Sequence, residues 1–181
     1  PATAEAARGV LADGGNAFDA ALAAIAAASV AEPLLCSLGG GGFLLAHPAD
    51  GPAVLYDFFA QTPGRARADP DFRAVEVDFG PATQEFQVGL GSAAVPGTIR
   101  GLAAVHADLA SRPLRALVAP AAALARDGVV LRDFDAYAGR ILAPILASTP
   151  EIAEVFQAPD GTPRAPGDRL VQPELAAALE R

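Results

Sequence analysis

The sequence predicts an α+β domain in which helices and antiparallel strands occupy separate stretches of one layered structure. Two helices come first, two strands follow a glycine run, a third strand follows them, and helices dominate after residue 97. Strands and helices therefore do not alternate as they do in repeated β-α-β units, which disfavours a doubly wound nucleotide-binding fold. A length of 181 residues suits one domain or a large piece of one.

The composition argues against several classes of protein. Apolar residues make up 52% of the chain, which is ample for a core, but the longest apolar stretch, residues 20–31, is too short and too alanine-rich for a membrane span. The net charge is −8 and no basic stripe is present, so a nucleic-acid partner is not expected. The single cysteine, Cys36, excludes an internal disulfide framework. No stretch has the pattern of a signal peptide.

The first 33 residues predict a helical hairpin. A first helix is expected to begin at an N-cap, Thr3, and to stop at Gly14. Asn16 is placed to cap the next helix, with Asp19 completing a capping box three residues later. Pro33 then closes the second helix.

Strand signals occupy the middle of the chain. Residues 43–46 and 53–59 predict two strands of an antiparallel hairpin, because residues 47–51 have turn chemistry. Residues 65–85 are polar and predict irregular structure. Residues 86–95 return to apolar alternation and predict a third strand.

Helices are predicted for most of the remaining chain. Pro120 is expected to kink one of them or to mark its true start. A proline- and glycine-rich stretch predicts a surface loop at residues 158–168. The predicted helices span residues 98–110, 113–127 and 133–147, with a last one from residue 172.

Four consecutive glycines, Gly39 to Gly42, lie in the segment CSLGGGGFLL. A phosphate-binding loop needs the order strand, glycines, helix and a lysine, whereas here a strand follows the glycines and the chain has no lysine. The main hypothesis is that glycine allows close backbone approach and positive φ at this turn. An alternative is that the loop N–H groups face an active-site cleft.

Few residues offer chemistry of their own. Cys36 would need a nearby histidine to act as a nucleophile, and neither His47 nor His106 is linked to it by a motif, so a small buried cysteine is the favoured interpretation. The two histidines have no metal-ligand spacing. Asp57 lies within an apolar strand and needs hydrogen bonds or a cation, which Arg65 or Arg67 could supply.

Several stretches, in order along the chain, resemble the γ-glutamyltranspeptidase family. The stretches are PATAEAARGVLADGGNAFDAALAAIAAASVAEP, CSLGGGGFLL, AVPGTIRGLAAVHADLA, APAAALARDGVVL and GDRLVQPELAAALE. Each motif alone is modest, but the ordered set is specific and covers nearly all of the 181 residues.

The resemblance implies an Ntn-hydrolase αββα sandwich, of which residues 1–181 supply only part, as a single domain piece from the N-terminal portion of the large subunit. Such a precursor cleaves itself, and the threonine that begins the small subunit becomes the nucleophile with its own α-amine as base. The reaction is acyl transfer from a small-molecule amide to water or an amine. The small subunit of the same precursor is the expected partner, no metal or organic cofactor is implied, and no catalytic residue is expected in this chain.

The segment YDFFAQTPGR departs from the family pattern. In typical members the second strand ends in Asp-aromatic-Arg-Glu with a proline shortly after, and the arginine pairs with the α-carboxylate of the γ-glutamyl group. Asp57, Phe58 and Pro63 match that pattern, whereas Phe59 stands in the place of the arginine and Ala60 in that of the glutamate.

Because of these substitutions, the residues expected to contact the substrate are Phe59, Gln61 and Arg65. Phe59 would line an apolar pocket, and Gln61 could offer a neutral hydrogen bond. Alternatively, another arginine substitutes for the missing one, either Arg65, which would reach back along the turning loop, or an arginine beyond residues 1–181.

Three functions remain open from the sequence. The first is transfer or hydrolysis of γ-glutamyl amides such as glutathione, and the second is an acylase acting on a glutaryl-type or other acyl amide. The third is a non-catalytic paralogue. The alanine- and arginine-rich composition suggests a bacterial origin, with a periplasmic or a cytoplasmic location equally open.

Overall fold

The structure is a computed structural model that describes residues 1–65 and 67–181. Its helices are α1 (Ala2–Ala12), α2 (Ala17–Ala31), α3 (Thr98–Leu109), α4 (Leu114–Asp127), α5 (Asp133–Ile141), α6 (Ala143–Leu146), α7 (Pro150–Phe156) and α8 (Pro173–Leu179). Its strands are β1 (Phe43–Ala46), β2 (Val54–Asp57), β3 (Arg73–Asp78), β4 (Thr83–Val88), β5 (Val129–Val130) and β6 (Arg169–Leu170). Within the described ranges, no helix has the length and apolarity that crossing a bilayer requires.

The chain forms two compact units. The first comprises Pro1–Gln61, Val95–Gly128 and Gln172–Arg181, and the second comprises Thr62–Ala94 and Val129–Val171. The description of residues 1–181 as a single domain piece stays a prediction.

The helical hairpin predicted for the N-terminus is confirmed, but its first cap is not. Helix α1 already begins at Ala2, and the Thr3 hydroxyl donates instead to the Glu32 carboxylate at 2.8 Å. At α2 the predicted capping box is present, because the Asn16 side chain accepts from the Asp19 N–H while the Asp19 carboxylate accepts from the Asn16 N–H. Gly14 ends the first helix with φ of 79°.

The core of the first unit surrounds α2. Leu22 and Ala23 of α2 meet Leu102 and Val105 of α3, together with Leu117 of α4. Alanine supplies most other buried positions of α2, so neighbouring helices approach it on more than one side.

The predicted hairpin of β1 and β2 is confirmed, although β2 is shorter than residues 53–59. The strands are antiparallel, with Phe43 opposite Asp57. Leu44 and Tyr56 on one face pack against the helical core. Leu45 on the other face is exposed, so the hairpin is apolar on both faces.

The second unit contains a hairpin that the sequence analysis missed. Residues 65–85 were expected to be irregular, but β3 and β4 form an antiparallel pair from Arg73 opposite Val88 to Asp78 opposite Thr83. The expected strand at residues 86–95 is also wrong beyond Val88, because a 3-10 turn follows at Leu90–Ser92. The alternation in RAVEVD is a strand signal that its charged residues obscured, and Val77 is fully buried.

The later helices are partly as predicted. Helices α3 and α4 are confirmed, and α4 continues through Pro120 instead of beginning there. The single helix expected at residues 133–147 is two helices, α5 and α6. Helix α7 was missed, although Thr149 caps its start by accepting from the Ile152 N–H.

The loop at residues 158–168 is confirmed as non-helical, and backbone pairing is present next to it and within it. Strand β5 pairs with β6, which follows the loop, and an isolated bridge joins Gln157 to Pro163.

Candidate functional site

A cleft of about 540 Å³ lies in the first unit, between the end of β2 and the start of α3. Two of the three residues expected to contact substrate, Phe59 and Gln61, line it. Val95 and Pro96 contribute apolar lining, and Arg100 contributes a cation. The cleft therefore combines apolar walls with a small number of polar groups, which is typical of small-molecule sites.

Two glycines at the start of α3 allow the cleft walls to approach each other closely. A Cβ on Gly101 would lie 2.2 Å from the Phe58 ring, and a Cβ on Gly97 would lie 2.0 Å from the Phe58 carbonyl oxygen. Any side chain at either position would push α3 away from β2. The spacing of four residues places both glycines on the same side of the helix.

The glycine run contributes close packing to the same region. A Cβ on Gly41 would lie 2.3 Å from the Ala60 nitrogen, and the Gly40 carbonyl accepts from the Gly97 N–H at 2.9 Å. Close backbone approach is thus confirmed as the role of this run. The expected positive φ is wrong, since none of Gly39 to Gly42 adopts it.

The N–H groups of the run are largely occupied. Gly39 and Gly40 donate to Ser37, and Gly42 donates to the Phe58 carbonyl. These three amides therefore do not face a ligand, contrary to the alternative that the sequence left open.

Phe59, which follows β2, stacks against the aromatic ring of Phe43 at the start of β1. Its ring centroid lies 5.5 Å from that of Phe43, with an interplanar angle of 17°. Both side chains are more than half exposed, at 56% and 59%. Stacked, exposed rings give an apolar platform that other groups can contact.

Gln61 is fixed through its backbone. It exchanges two hydrogen bonds with Val95, of 3.0 and 2.8 Å, which join the two sides of the cleft. Its side-chain Nε2 donates to the Phe59 carbonyl at 3.4 Å. The side-chain oxygen has no partner within the part of the chain that the structure describes, so it is free to accept a hydrogen bond.

Arg65 belongs to the second unit, unlike Phe59 and Gln61. It lies in an exposed bend after Pro63. Asp57 accepts a hydrogen bond from the Phe59 N–H at 3.0 Å. The expectation that Arg65 or Arg67 supplies a cation to Asp57 stays a prediction.

Arg100 is a candidate that the sequence analysis overlooked. It lies on the first turn of α3, lines the cleft and is exposed. Among the residues 1–65 and 67–181 it has neither a hydrogen-bond partner nor an ion-pair partner. The signal was the segment GTIRG, in which two glycines four apart mark a close helix contact and an arginine lies between them.

Cys36 is not arranged as an activated nucleophile in the part of the chain that the structure describes. Burial, with a smaller contribution from the charge of Glu32, raises the pKa of the Cys36 thiol, which lowers its thiolate fraction. His106 is engaged with the Arg112 carbonyl at 2.9 Å. No group of three potential metal ligands was found within the described part of the chain.

Comparison with known sequences gives consistent matches. A family model described as Gamma-glutamyltranspeptidase matches residues 3–181. The Acylase ACY 1 proenzyme of Pseudomonas sp. (strain V22) is 35% identical over 175 residues, which cover 94% of this chain and 31% of that protein. The Glutathione hydrolase proenzyme of Escherichia coli (strain K12) is 32% identical over 171 residues, covering 94% of this chain and 29% of that protein. The chain thus spans about a third of these relatives.

Solved structures give similar matches. The crystal structure of Helicobacter pylori gamma-glutamyltranspeptidase superimposes with a TM-score of 0.85 at 30% identity, covering 99% of this chain and 50% of that one. The cephalosporin acylase from Bacillus halodurans superimposes with a TM-score of 0.73 at 24% identity, covering 99% and 33%, which shows a common fold.

Proposed function

Because the chain belongs to the gamma-glutamyltranspeptidase family, we propose that it is part of an autoprocessed N-terminal-nucleophile hydrolase that transfers the acyl group of a small-molecule amide. The fold class is the predicted one, α+β, and the chain supplies part of the Ntn-hydrolase αββα sandwich. The proposal rests above all on the family match, which runs from residue 3 to residue 181.

The proposed reaction proceeds through a covalent acyl-enzyme. A threonine that begins the small subunit attacks the amide carbonyl, and its own α-amine accepts the hydroxyl proton. Water or an amine then releases the acyl group. Both of the relatives described above are named as proenzymes, which supports cleavage of a precursor into subunits. We assign no catalytic residue and no cofactor to residues 1–181.

The exposed face of the β1–β2 hairpin supports association with the rest of such a precursor. Phe43, Leu45 and Leu55 are large apolar side chains on this face, and each is more than half exposed. A sheet that is apolar on both faces is typical of the middle of a layered fold. We propose that the small subunit of the same precursor covers this face.

The first candidate substrate is a γ-glutamyl amide such as glutathione, by analogy with relatives named glutathione hydrolase. The cleft carries both a carboxylate, Asp57, and a guanidinium, Arg100. This pair of charges complements the α-ammonium and α-carboxylate of a glutamyl group.

A second candidate is a glutaryl-type or other acyl amide. Phe59, where the family pattern has arginine, places an aromatic surface on the cleft wall. Such a surface favours an apolar acyl stem. Relatives named as acylases are consistent with this candidate.

The test is to express the full-length gene product and to determine the masses and N-termini of its chains. Two chains, of which the smaller begins with threonine, are expected. Substitution of that threonine by alanine should give one uncleaved chain. Hydrolysis of γ-glutamyl-p-nitroanilide and glutaryl-p-nitroanilide would then rank the two substrate candidates. A wild-type product that remains a single chain and cleaves neither anilide would overturn the proposal in favour of a non-catalytic paralogue.

A further inference from the structure

The cleft holds a cation that forms no ion pair with the residues that the structure describes. Arg100 lines the same space as Phe59 and Gln61 and has no hydrogen-bond or ion-pair partner in the part of the chain that the structure describes.

From this arrangement we propose that Arg100 binds a carboxylate carried by the acyl group of the substrate. The inference rests on the proposed acyl-transfer function and adds the residue that determines acyl specificity.

The position of Arg100 follows from how α3 meets β2. Gly97 and Gly101 hold the first turn of α3 against Phe58, and the Gly40 carbonyl accepts from the Gly97 and Thr98 N–H groups at 2.9 and 3.2 Å. These contacts fix the helix start. Ala104, one turn after Arg100 on the same side of the helix, also lines the cleft.

The surroundings of Arg100 suit an acyl chain that ends in an anion. A guanidinium presents parallel N–H donors that match the two oxygens of a carboxylate. The Phe59 ring and Val95 offer apolar surface for the methylene stem, and the Gln61 side-chain oxygen can accept one hydrogen bond. No ion pair joins Asp57 to Arg100 among the described residues, so both charges are available to a ligand.

Two acyl groups carry such a carboxylate. In a γ-glutamyl group it is the α-carboxylate, and Asp57 would then receive the neighbouring ammonium. In a glutaryl group it is the terminal carboxylate, and Asp57 would have no role in binding. The chemistry of the contact with Arg100 is the same in both.

The experiment compares three p-nitroanilides on the full-length processed enzyme. The γ-glutamyl and glutaryl compounds carry the carboxylate, and the valeryl compound replaces it with a methyl group. The Arg100→Gln variant is expected to lower kcat/KM for a carboxylate-bearing substrate by about tenfold or more, mainly through KM, and to leave valeryl hydrolysis within about twofold. Arg100→Lys should restore part of the loss.

The matched control is Arg115→Gln. Arg115 is likewise an exposed helical arginine of the first unit, without a hydrogen-bond or ion-pair partner among the described residues, and it lies outside this cleft. This variant is expected to behave as the wild type. The Asp57→Asn variant distinguishes the two acyl groups, because it should weaken the binding of the γ-glutamyl anilide only.

An equal loss on all three anilides in Arg100→Gln would overturn the inference, since it would indicate a structural role, and so would no loss on any of them. If the enzyme cleaves none of the three anilides, the proposed function is contradicted. The inference about Arg100 is then tested by itself, through calorimetric titration with glutarate and L-glutamate. Weaker binding to Arg100→Gln than to the wild type would support it, whereas equal or undetectable binding to both would overturn it.

Discussion

Asp19 and Ser111 are 92 positions apart in sequence, yet the Ser111 hydroxyl donates to the Asp19 carboxylate at 2.5 Å. The backbone N–H groups of Ser111 and Arg112 donate to the other carboxylate oxygen at 3.0 and 3.1 Å. Asp19 is fully buried and also caps α2 by accepting from Asn16. One side chain therefore ties the start of α2 to the connection between α3 and α4.

The Asp19→Asn variant should destabilise the full-length protein by about 2–3 kcal/mol. The amide retains one acceptor oxygen, but its nitrogen cannot accept from the Ser111 hydroxyl, and a hydrogen bond to a charged group typically contributes about 1.5–3 kcal/mol. Thermal unfolding followed by circular dichroism measures the change. Asp50→Asn, in an exposed turn, is the control and should shift the midpoint little. Equal midpoints for both variants would contradict this role of Asp19.

The same carboxylate predicts a pH dependence of stability. Burial by itself would raise the pKa of Asp19, but hydrogen bonds from Ser111, Asn16 and Arg112 outweigh it and hold the pKa below its ordinary value. A lowered folded-state pKa means that the stabilisation is complete above the unfolded value, near pH 4, and is lost as the pH falls through the folded value. The stability difference between wild type and Asp19→Asn should therefore shrink in chemical denaturation below about pH 4. A stability difference that grows at low pH would contradict a lowered folded-state pKa of Asp19.

Gly101→Ala should destabilise the first unit by about 1–3 kcal/mol, because the new methyl group would overlap the base of the Phe58 ring and force α3 away from β2. Gly139→Ala is the matched control, since a Cβ there meets nothing within 4 Å. Replacing that helical glycine should be neutral or stabilising by up to about 1 kcal/mol. Denaturant titration distinguishes the two variants, and equal stabilities would argue against close packing at Gly101.

Phe59→Ala should raise KM for carboxylate-bearing and neutral acyl anilides alike, by about five- to tenfold, because contact with the acyl stem does not depend on charge. Phe79→Ala removes a ring that pairs with Phe86 at 6.3 Å in the second unit, and it should leave KM unchanged. Steady-state kinetics on the full-length enzyme measures both. An unchanged KM in Phe59→Ala would remove this residue from the acyl site.

Cys36 should react slowly with iodoacetamide at neutral pH. Burial and the charge of Glu32 raise its pKa, so the thiolate fraction is small. Peptide mapping by mass spectrometry across a pH series should give a midpoint above that of a cysteine in a short peptide. A midpoint below the peptide value would reopen the possibility that Cys36 acts as a nucleophile.

Local signals predicted those elements whose determinants are neighbours in sequence. The Asn16–Asp19 capping box and the turn between β1 and β2 each depend on residues a few positions apart, and both are present in the structure. The expected N-cap at Thr3 is wrong because the helix already begins at Ala2, which makes Thr3 a helical residue whose hydroxyl donates to a distant partner, Glu32. The β3–β4 hairpin was missed because charged residues within the strands resemble a loop when pairing is unknown.

The features of the candidate site likewise fall into those that the sequence predicted and those that only the structure showed. The sequence by itself determined the α+β class, the family resemblance and the substitution at Phe59, because each is a matter of residue identity and order along the chain. Only the tertiary structure brought Arg100, 41 positions away in number, into the cleft with Phe59 and placed Arg65 in the other unit. The physical reason is that the cleft depends on how closely α3 approaches β2. That distance is set by the packing of Gly97 and Gly101 on Phe58. The two glycines of GTIRG indicate a close contact, but no local pattern shows that Phe58 is the partner.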